Sequence, residues 1–557
     1  MSNKKVIIVG GVAGGASTAA RLRRLDENAE ILLIEKGEHV SFANCGLPYY
    51  VGDVISNRED LLVQSAENMQ KRFNLDVRIK TEAVSIDRDK KELTLKNLET
   101  DETYRESYDY IVLSPGSKPI MPPIPGLDKA NNVFALKTIS DSDKIKDYLK
   151  NNNAKKAVVV GGGFIGIEIA ENLKEKGLDV YLVEMLPQVL PNLDFEMASI
   201  VEEHLEEKGI KLILGDALKE VGEDGKTLIL NSNTEIKTDM IVMSVGVVPE
   251  SKFALDANLE AGVKNSIKVD EYMQTSDPSI YAVGDAVEVE ENVNTEPAVI
   301  PLAGPANRQG RGVANNIYGD TDKVKSTLGT SVIKVFELTA ASTGANEKQL
   351  KELNKNYRTV HIHPFNQVKY YPGANKMSLK LLFDPEDGTI YGAQAVGKTG
   401  VEKRIDVIAT AIKGRLSVYT LKELDLCYAP PYSSAKDPVN MLGFVAENIV
   451  NNLVKSIDAN DFISMDIDEK NILVIDVRDK NAAEENGIIE GALNIPVNEV
   501  RDRLSEIPKD KKIVVYCDQG LNSYLVSRIL LQNNYEVYNL DGGYQSYKYA
   551  KRKLESK

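Results

Sequence analysis

The sequence Val6-Ile-Ile-Val9-Gly10-Gly-Val-Ala-Gly-Gly15 joins an apolar run to a glycine-rich turn. A helical pattern through Arg24 and a second apolar run, Ile31-Leu-Leu-Ile34-Glu35, complete a strand–turn–helix–strand unit. In such a unit the backbone N–H groups of the turn and the helix N-terminus can hold a pyrophosphate, and the acidic residue can accept ribose hydroxyl groups. This stretch therefore predicts a dinucleotide-binding fold.

The same pattern occurs a second time. Ala157-Val-Val-Val160 leads into Gly161-Gly-Gly-Phe-Ile-Gly166, a helix to about Lys176 and the strand Val180-Tyr-Leu-Val183-Glu184. The second turn fits the GxGxxG pattern, whereas Val12 stands at the middle position of the first. One glycine pattern alone is weak evidence, but two complete units predict two dinucleotide-binding domains.

The flanking sequence indicates that the second domain is inserted into the first. Ser114-Pro-Gly-Ser-Lys-Pro119 is typical of the chain leaving the first domain, and Thr275-Ser-Asp-Pro-Ser-Ile-Tyr-Ala-Val-Gly-Asp285 is typical of its return. From about 325 to 450, strands such as Ser331–Phe336 and Met377–Phe383 are expected to alternate with helices such as Glu402–Lys413. We expect a third folded region there.

A further α/β pattern follows a polar junction near residues 455–470. It starts with Ile472-Leu-Val-Ile-Asp476-Val-Arg478-Asp479. It continues through Gly491–Pro496, Ile513-Val-Val-Tyr-Cys517 and Tyr538-Asn-Leu-Asp-Gly-Gly-Tyr544. These runs predict a separate small α/β domain at the end of the chain.

Composition narrows the functional classes. A length of 557 residues predicts several domains, and a net charge of −15 argues against a general nucleic-acid binder. We find no signal peptide and no apolar run of about 18 residues, so a cytoplasmic protein without a membrane partner is expected. Cys45, Cys427 and Cys517 lack metal-ligand spacing, and the pair His361-Ile-His363 lacks a third ligand. No metal is therefore expected, and the two histidines are expected at the surface or an interface.

The string Ser41-Phe-Ala-Asn-Cys45-Gly-Leu-Pro-Tyr-Tyr50 lies just after the first dinucleotide-binding unit. Because no second cysteine is near in sequence, this thiol cannot form a local disulfide. A buried structural thiol is the plain alternative. The position favours a one-cysteine redox centre that pairs with an external oxygen, sulfur or small thiol.

Together with Tyr428-Ala-Pro-Pro-Tyr-Ser-Ser-Ala-Lys-Asp437-Pro and the first glycine-rich turn, this string resembles the coenzyme A disulfide reductases. The final 95 or so residues resemble a rhodanese domain. The whole chain is similar to the coenzyme A disulfide reductase–rhodanese fusions, a group of single-cysteine pyridine nucleotide-disulfide oxidoreductases that includes NADH-dependent persulfide reductases.

The resemblance implies an α/β fold with two Rossmann-like domains, for FAD and NADH, an α+β dimerisation domain that makes a homodimer, and a C-terminal α/β rhodanese domain. The expected boundaries are 1–120 and 251–324 for the FAD domain, 121–250 for the NAD(P)H domain, 325–455 for dimerisation and 456–557 for rhodanese. Glu184 favours NADH because a carboxylate repels the 2′-phosphate of NADPH, although related enzymes can use both.

The implied reaction passes electrons from NADH through FAD to a Cys45–S–S–CoA mixed disulfide. The released Cys45 thiolate attacks CoA disulfide or CoA persulfide and expels CoA thiolate or hydrosulfide. Other low-molecular-weight persulfides are further expected substrates, and CoA is either substrate or bound cofactor. We expect a positive helix end and the oxidised flavin to lower the Cys45 pKa.

An NADH oxidase or peroxidase, in which Cys45 cycles through a sulfenic acid, is the alternative. Those relatives carry a histidine in the first glycine-rich turn and a serine before the cysteine. Here Ala13 and Asn44 occupy those positions. The sequence therefore favours sulfur over peroxide as the partner of Cys45.

The resemblance also assigns individual site residues. Tyr370 and Tyr428 match tyrosines that the partner subunit presents to the active site, although interface packing is nearly as plausible. The positions that match substrate-binding residues are Ser17, Arg21, Arg24, Ser41, Asn44, Arg308 and Lys436, with Lys71 and Arg72 as further candidates. For the arginines of the first helix, a solvated basic surface is the alternative. Expected dinucleotide-binding positions are Gly10, Val12, Ala13, Gly15, Glu35, Ser114, Gly116, Gly161, Gly163, Gly166, Glu184, Gly246, Gly284 and Asp285.

The loop Cys517-Asp-Gln-Gly-Leu-Asn522 has the length of a rhodanese active-site loop, whose backbone N–H groups can surround a cysteine thiolate or persulfide. Typical loops of this kind carry arginines, whereas this one offers Asp518 and Asn522, which argues against the thiosulfate dianion as donor. A rhodanese fold without activity is the alternative. Cys427, which has no acid–base companion in sequence, is expected to be structural.

Overall fold

The computed structural model describes residues 4–324, 326–465 and 471–555, so residues 466–470 of the expected junction and residue 325 at the expected domain boundary lie outside it. The chain divides into two compact units. The first comprises Met1–Pro187 and Ile210–Gly329, and the second comprises Gln188–Gly209 and Thr330–Lys557. None of the described helices combines the length and apolar character needed to cross a membrane.

The first unit contains two parallel five-stranded sheets. Their strands are continuous apolar runs because both faces of a parallel sheet are covered. The first sheet has the order Ile280–Ala282, Tyr110–Leu113, Lys5–Val9, Glu30–Ile34 and Asp76–Arg78. The second has the order Lys211–Leu214, Asp179–Glu184, Lys156–Val160, Met240–Met243 and Val133–Phe134. Because Ile280–Ala282 pairs with Tyr110–Leu113, the predicted return of the chain to the first sheet is confirmed.

Each glycine-rich turn is followed by the predicted helix. Ala13–Leu25 and Phe164–Glu175 begin directly after the glycine-rich turns. A Cβ atom on Gly15 would lie 1.8 Å from the carbonyl oxygen of Gly10, so only glycine allows this helix to pack so closely on its strand.

Smaller elements complete the first unit. Its other helices are Leu47–Val51, Ala66–Phe73, Ile139–Asn152, Lys252–Asp256 and Ala303–Ile317, with 3₁₀ turns at Asn44–Gly46, Arg58–Leu61, Val263–Asn265 and Gly284–Ala286. Its antiparallel strands are Thr81–Asp87, Glu92–Asn97 and Thr103–Ser107; Leu218–Val221, Thr227–Leu230 and Glu235–Lys237; Ser117–Pro119 and Val247–Pro249; and Val289–Glu290 and Pro297–Ala298.

The second unit contains an antiparallel five-stranded sheet and a parallel one. The antiparallel sheet has the order Ser331–Val335, Leu338–Gly344, Ile390–Gly397, Met377–Phe383 and Arg358–Ile362. The helices of this part are Phe195–Glu207, Glu347–Glu352, Val401–Lys413, Val418–Leu421 and Pro438–Val450. The expected strand Met377–Phe383 and helix near Glu402–Lys413 are thus confirmed, the helix beginning one residue earlier.

The parallel sheet of the second unit forms the C-terminal α/β region. Its order is Ser456–Ile457, Val537–Leu540, Lys512–Tyr516, Ile472–Asp476 and Leu493–Asn494. Along the central strand, Ile513 and Val515 pack into one apolar cluster and Val514 and Tyr516 into another, so both faces are covered. The surrounding helices are Ala459–Ser464, Lys480–Asn486, Leu521–Gln532 and Gly543–Glu555, with a 3₁₀ turn at Leu504–Glu506.

Candidate active site

The first glycine-rich turn forms a cradle suited to a dinucleotide. Gly10 has a φ of +98°, and a Cβ atom there would lie 2.0 Å from the carbonyl oxygen of Ser114, so the position requires glycine. The Glu35 carboxylate accepts hydrogen bonds from the backbone N–H groups of Gly11 and Gly37, each at 2.8 Å. Gly116, also at positive φ, borders open space. These residues fit FAD, as expected from the resemblance.

The second turn has the same design. Gly161 has a φ of +112°, and the N–H of Gly162 donates to the Glu184 carboxylate at 2.6 Å. A Cβ on Gly163 would meet no atom within 4 Å, so this side of the turn is open to a pyrophosphate. The residues fit a nicotinamide dinucleotide.

Cys45 is exposed and lies in the turn Asn44–Gly46, before a helix of only five residues, Leu47–Val51. The protein groups around the sulfur act against the expected lowering of its pKa, while the lowering expected from the oxidised flavin stays a prediction. Partial burial of the sulfur raises the Cys45 pKa, and the carboxylates of Glu168 and Asp285 raise it further. The helix is too short to offset them.

Glu168 is a member of this site that the sequence did not reveal. It lies on the helix Phe164–Glu175, and the Tyr49 hydroxyl donates to its carboxylate at 3.3 Å. Burial raises the pKa of Glu168 to about 7, with a smaller contribution from Glu171. The sequence predicts the helix that carries Glu168, but it does not predict that this helix lies close to Cys45, because the two are far apart in the chain. A carboxyl group that titrates near neutral pH therefore stands beside the thiol.

Lys137 is a second residue that the sequence did not single out, and its charge has the opposite effect on Cys45. The Lys137 ammonium is 3.8 Å from the Asp285 carboxylate, which also accepts a hydrogen bond from Ser117 at 2.9 Å. Lys137 lowers the Cys45 pKa, although less than burial and the two carboxylates raise it. The contacts with Lys137 and Ser117 hold Asp285 in the turn Gly284–Ala286, where the sequence predicts a flavin-binding residue.

Several expected substrate residues come together along two packed helices, Ala13–Leu25 and Ala303–Ile317. The Ser17 hydroxyl donates to Asn307 at 2.5 Å, and Arg21 donates to Asn315 at 2.8 Å. Arg308, next to Asn307, is exposed, as is Arg24. A basic face suited to an anionic ligand is thus present.

The other basic candidates of the first unit lie at a groove. Lys71 and Arg72 are exposed at the end of the helix Ala66–Phe73 and line this groove with Gln64 and Asn68. The Ser41 carbonyl accepts the backbone N–H of Gln64 at 3.2 Å, which joins the segment before Cys45 to the groove.

In the second unit, Tyr370 and Tyr428 come together. Their side chains are hydrogen-bonded, which raises the pKa of Tyr428, and both are exposed. The segment that carries Tyr428 ends at Asp437, which caps the helix Pro438–Val450 and pairs with buried Arg404 at 3.0 Å. Lys436 is exposed beside this cap, and Cys427 is exposed rather than part of a core.

Cys517 is buried between the strand Lys512–Tyr516 and the helix Leu521–Gln532. The Gly520 N–H donates to its sulfur at 3.1 Å, and the Ser523 hydroxyl is 3.5 Å from it. The loop geometry agrees with the predicted backbone support of a sulfur anion. Asp518 accepts a hydrogen bond from Gln545 and lies 3.4 Å from the ammonium of Lys376.

The pair His361 and His363 is buried, so its expected place at a surface is wrong, whereas an interface is confirmed: both rings contact residues of the C-terminal α/β region, Asp541 and Ser546. His363 contacts the hydroxyls of Ser378 and Ser546, while His361 contacts carboxylates. Burial lowers the pKa of His363 to about 3, so this ring is neutral.

Comparisons with known proteins agree with this geometry. The pyridine nucleotide-disulphide oxidoreductase family matches residues 4–310, its dimerisation domain matches 330–438, and the rhodanese-like domain matches 459–550. Coenzyme A disulfide reductase of Staphylococcus haemolyticus is 35% identical over 447 residues, which cover 80% of this chain and all of that protein.

Two solved structures match over nearly the full length. The reduced CoADR-RHD of Bacillus anthracis is 50% identical, with a TM-score of 0.97 and coverage of 99% of this chain and 98% of that one. The NAD-dependent persulfide reductase of A. fulgidus is 38% identical, with a TM-score of 0.91 and coverage of 98% and 100%. The chain belongs to the pyridine nucleotide-disulphide oxidoreductase family and carries a C-terminal rhodanese-like domain.

Proposed function

We propose that the protein is an FAD-dependent NADH oxidoreductase that reduces CoA persulfide and related persulfides, releasing hydrosulfide, and also reduces CoA disulfide. The observation that supports this most strongly is the similarity over nearly the whole chain to a CoADR-RHD and to a persulfide reductase. It favours this function over an NADH oxidase or peroxidase. We propose the domain boundaries expected from the sequence.

Cys45 is the proposed catalytic nucleophile. FAD, when bound, exchanges two electrons between the nicotinamide and the sulfur centre. The Cys45 thiolate attacks the CoA-bearing sulfur of a persulfide, forming Cys45–S–S–CoA and expelling hydrosulfide; two electrons then return the thiolate and release CoA thiolate. With CoA disulfide as substrate, the same attack expels CoA thiolate. Glu168, which titrates near pH 7, is positioned to hold or release a proton beside this sulfur.

The remaining site residues have supporting roles in this proposal. The basic side chains Arg21, Arg24, Lys71, Arg72, Arg308 and Lys436, with Ser17, Ser41 and Asn44, bind the phosphates and arm of CoA. Tyr370 and Tyr428 of the partner subunit donate hydrogen bonds to the departing thiolate in a homodimer. Cys517 carries sulfane sulfur toward CoA. The three free cysteines suit the reducing cytoplasm, where we place the enzyme.

Three serine substitutions test the division of labour. Cys45→Ser is expected to lower kcat/KM for NADH-dependent hydrosulfide release at least about a thousandfold, because the nucleophile is lost. Cys517→Ser is expected to slow release only when sulfur is supplied through the rhodanese domain. Exposed Cys427 provides the matched control, and Cys427→Ser should leave all rates within about twofold. Unchanged release from every persulfide donor in Cys517→Ser would refute the sulfur relay.

Substrate identity is tested by kinetics and mass. We expect kcat/KM for CoA persulfide to exceed that for glutathione persulfide by more than about tenfold, because the CoA phosphates meet the basic side chains. Intact mass under denaturing, non-reducing conditions should show a CoA adduct on Cys45. An oxygen adduct on Cys45 with no CoA adduct would support the peroxidase instead.

A further inference from the structure

The Cys517 loop rests on a second turn, Asp541-Gly-Gly-Tyr544, which follows the strand Val537–Leu540. The Tyr544 N–H donates to the Cys517 carbonyl at 2.8 Å, and the Gln545 N–H donates to that of Asp518 at 3.2 Å. A Cβ atom on Gly543 would lie 2.4 Å from the Cys517 carbonyl oxygen and 2.9 Å from the Gly520 nitrogen. The position of the loop, including the Gly520 N–H that reaches the sulfur, therefore follows the position of this turn.

His361, on the strand Arg358–Ile362, holds the turn from the other side. Its backbone N–H lies 3.0 and 3.1 Å from the two carboxylate oxygens of Asp541, and its Nδ1 is 2.6 Å from one of them. A Cβ on Gly542 would lie 2.8 Å from the Cβ of His361, so the strand and the turn are in close contact. His361 belongs to the antiparallel sheet, whereas Asp541 belongs to the C-terminal α/β region.

The other ring nitrogen of His361 also faces a carboxylate. Nε2 is 3.0 Å from Glu196, which in turn accepts a hydrogen bond from buried Lys380 at 2.5 Å. The ring is almost fully buried, and since each nitrogen meets an acceptor, each carries a proton. Asp541 and Glu196 raise the pKa of His361 to about 10 against the effect of burial, while Lys380 opposes the rise. The residue is a buried imidazolium at neutral pH.

A metal ion is the competing explanation for this cluster. His361, Asp458 and Asp541 lie close enough to share an ion, as do Asp194, Glu196 and Glu347. Lys380 already contacts all three carboxylates of the second group, at 2.5 to 2.9 Å. In the first group both ring nitrogens of His361 are engaged, one of them by Glu196. The cations of this cluster are therefore the side chains themselves.

We propose that His361 is a positioning residue for the rhodanese reaction: by fixing the Asp541 turn, it keeps the Gly520 N–H directed at the Cys517 sulfur. This inference rests on the proposed role of Cys517 as a sulfur carrier. His361 does not touch the sulfur. It acts through Asp541 and the backbone contacts between the two turns, so residues of the dimerisation sheet determine the reactivity of a cysteine in another domain.

The test is the pH profile of Cys517 alkylation in the full-length, flavin-loaded protein. Iodoacetamide labelling of the Cys517 peptide is followed by mass spectrometry. In His361→Leu the ring contact with Asp541 is lost and only the backbone contact remains, so the turn is loosened, the Gly520 N–H is less well directed at the sulfur anion, and the pH of half-maximal rate is expected to rise by about one unit. CoA disulfide reduction through Cys45 should stay within about twofold of the unaltered protein.

His363→Leu is the matched control. His363 lies on the same strand, is equally buried and contacts Ser546 on the helix that follows the turn, but its ring contacts hydroxyls instead of Asp541. We expect a similar fall in thermal stability and an unchanged Cys517 profile. An unchanged profile in His361→Leu, or an equal shift in His363→Leu, would overturn the positioning role.

Asp541→Asn covers the case in which His361→Leu does not fold. This change keeps the size of the side chain and removes its charge, so it should raise the half-maximal pH in the same direction. Combining both changes should give no larger shift than the larger single one, because they break the same contact. An unchanged profile in Asp541→Asn refutes the inference. Labelling protein that has been reduced and freed of sulfane sulfur reports on the Cys517 thiol itself, so failure here is distinguishable from failure of the sulfur relay.

Discussion

The two loops that carry Cys45 and Cys517 are built in opposite ways. Cys45 is exposed, and nearby carboxylates disfavour its thiolate, whereas Cys517 is buried with a backbone N–H directed at its sulfur. The Cys45 loop follows the turn of one dinucleotide-binding unit, while the Cys517 loop rests on a turn held by a buried ion cluster. In the proposed function, the thiol that exchanges partners is thus accessible and the thiol that carries sulfane sulfur is enclosed.

The largest expected effect concerns the ion cluster behind the Cys517 loop. Lys380→Met leaves Asp194, Glu196 and Glu347 without their shared cation, so we expect the second unit to lose about 3 to 5 kcal/mol of stability. Hydrogen exchange of the strand Met377–Phe383 measures this loss. Cys45 alkylation should not change.

Lys480→Met provides the control for that prediction. Lys480 forms an exposed pair with Glu484 in the same unit, and its loss should change stability by less than about 1 kcal/mol. Equal effects of the two lysine changes would show that the stability of the second unit does not depend on its buried charges.

A smaller effect is expected from the acidic residue beside Cys517. Asp518→Asn removes a negative charge that repels the thiosulfate dianion and frees the ammonium of Lys376, so kcat/KM for thiosulfate should rise about tenfold. Asp510→Asn, an exposed change in the same domain, should leave it unchanged. A rise limited to Asp510→Asn, or no rise in Asp518→Asn, would contradict charge as the basis of donor choice.

The smallest effect concerns Cys45. Glu168 has a pKa of about 7, so it is neutral at pH 6 and repels the thiolate at pH 8. Glu168→Gln lowers the Cys45 pKa at the higher pH, and alkylation of Cys45 should be about threefold faster at pH 8 and unchanged at pH 6. Glu175→Gln, at the exposed end of the same helix, is the control. A rate increase of equal size at both pH values would contradict this mechanism.

Local patterns were enough to predict most of the fold. The helices Ala13–Leu25 and Phe164–Glu175 follow from glycine turns and apolar periodicity, and the strand Met377–Phe383 was predicted to the residue. The cysteines and glycines of the site were visible for the same reason, since their patterns are short and continuous.

Features that depend on distant contacts could not be predicted. Glu168 approaches Cys45 only after a helix and a loop from different parts of the chain meet. The pair His361-Ile-His363 looked like surface because its carboxylate partners, Glu196 and Asp541, are 165 and 180 residues away. Charge environments of this kind are set by the tertiary structure, and so the raising effect of Glu168 and Asp285 on the Cys45 pKa could not be read from the sequence.

The contact between His361 and Asp541 has a consequence for protein engineering. Cutting the chain before the C-terminal region would remove Asp541 and leave the His361 imidazolium with Glu196 as one of its two counter-charges and the other missing. A stand-alone reductase derived from this chain would therefore need a compensating change at position 361.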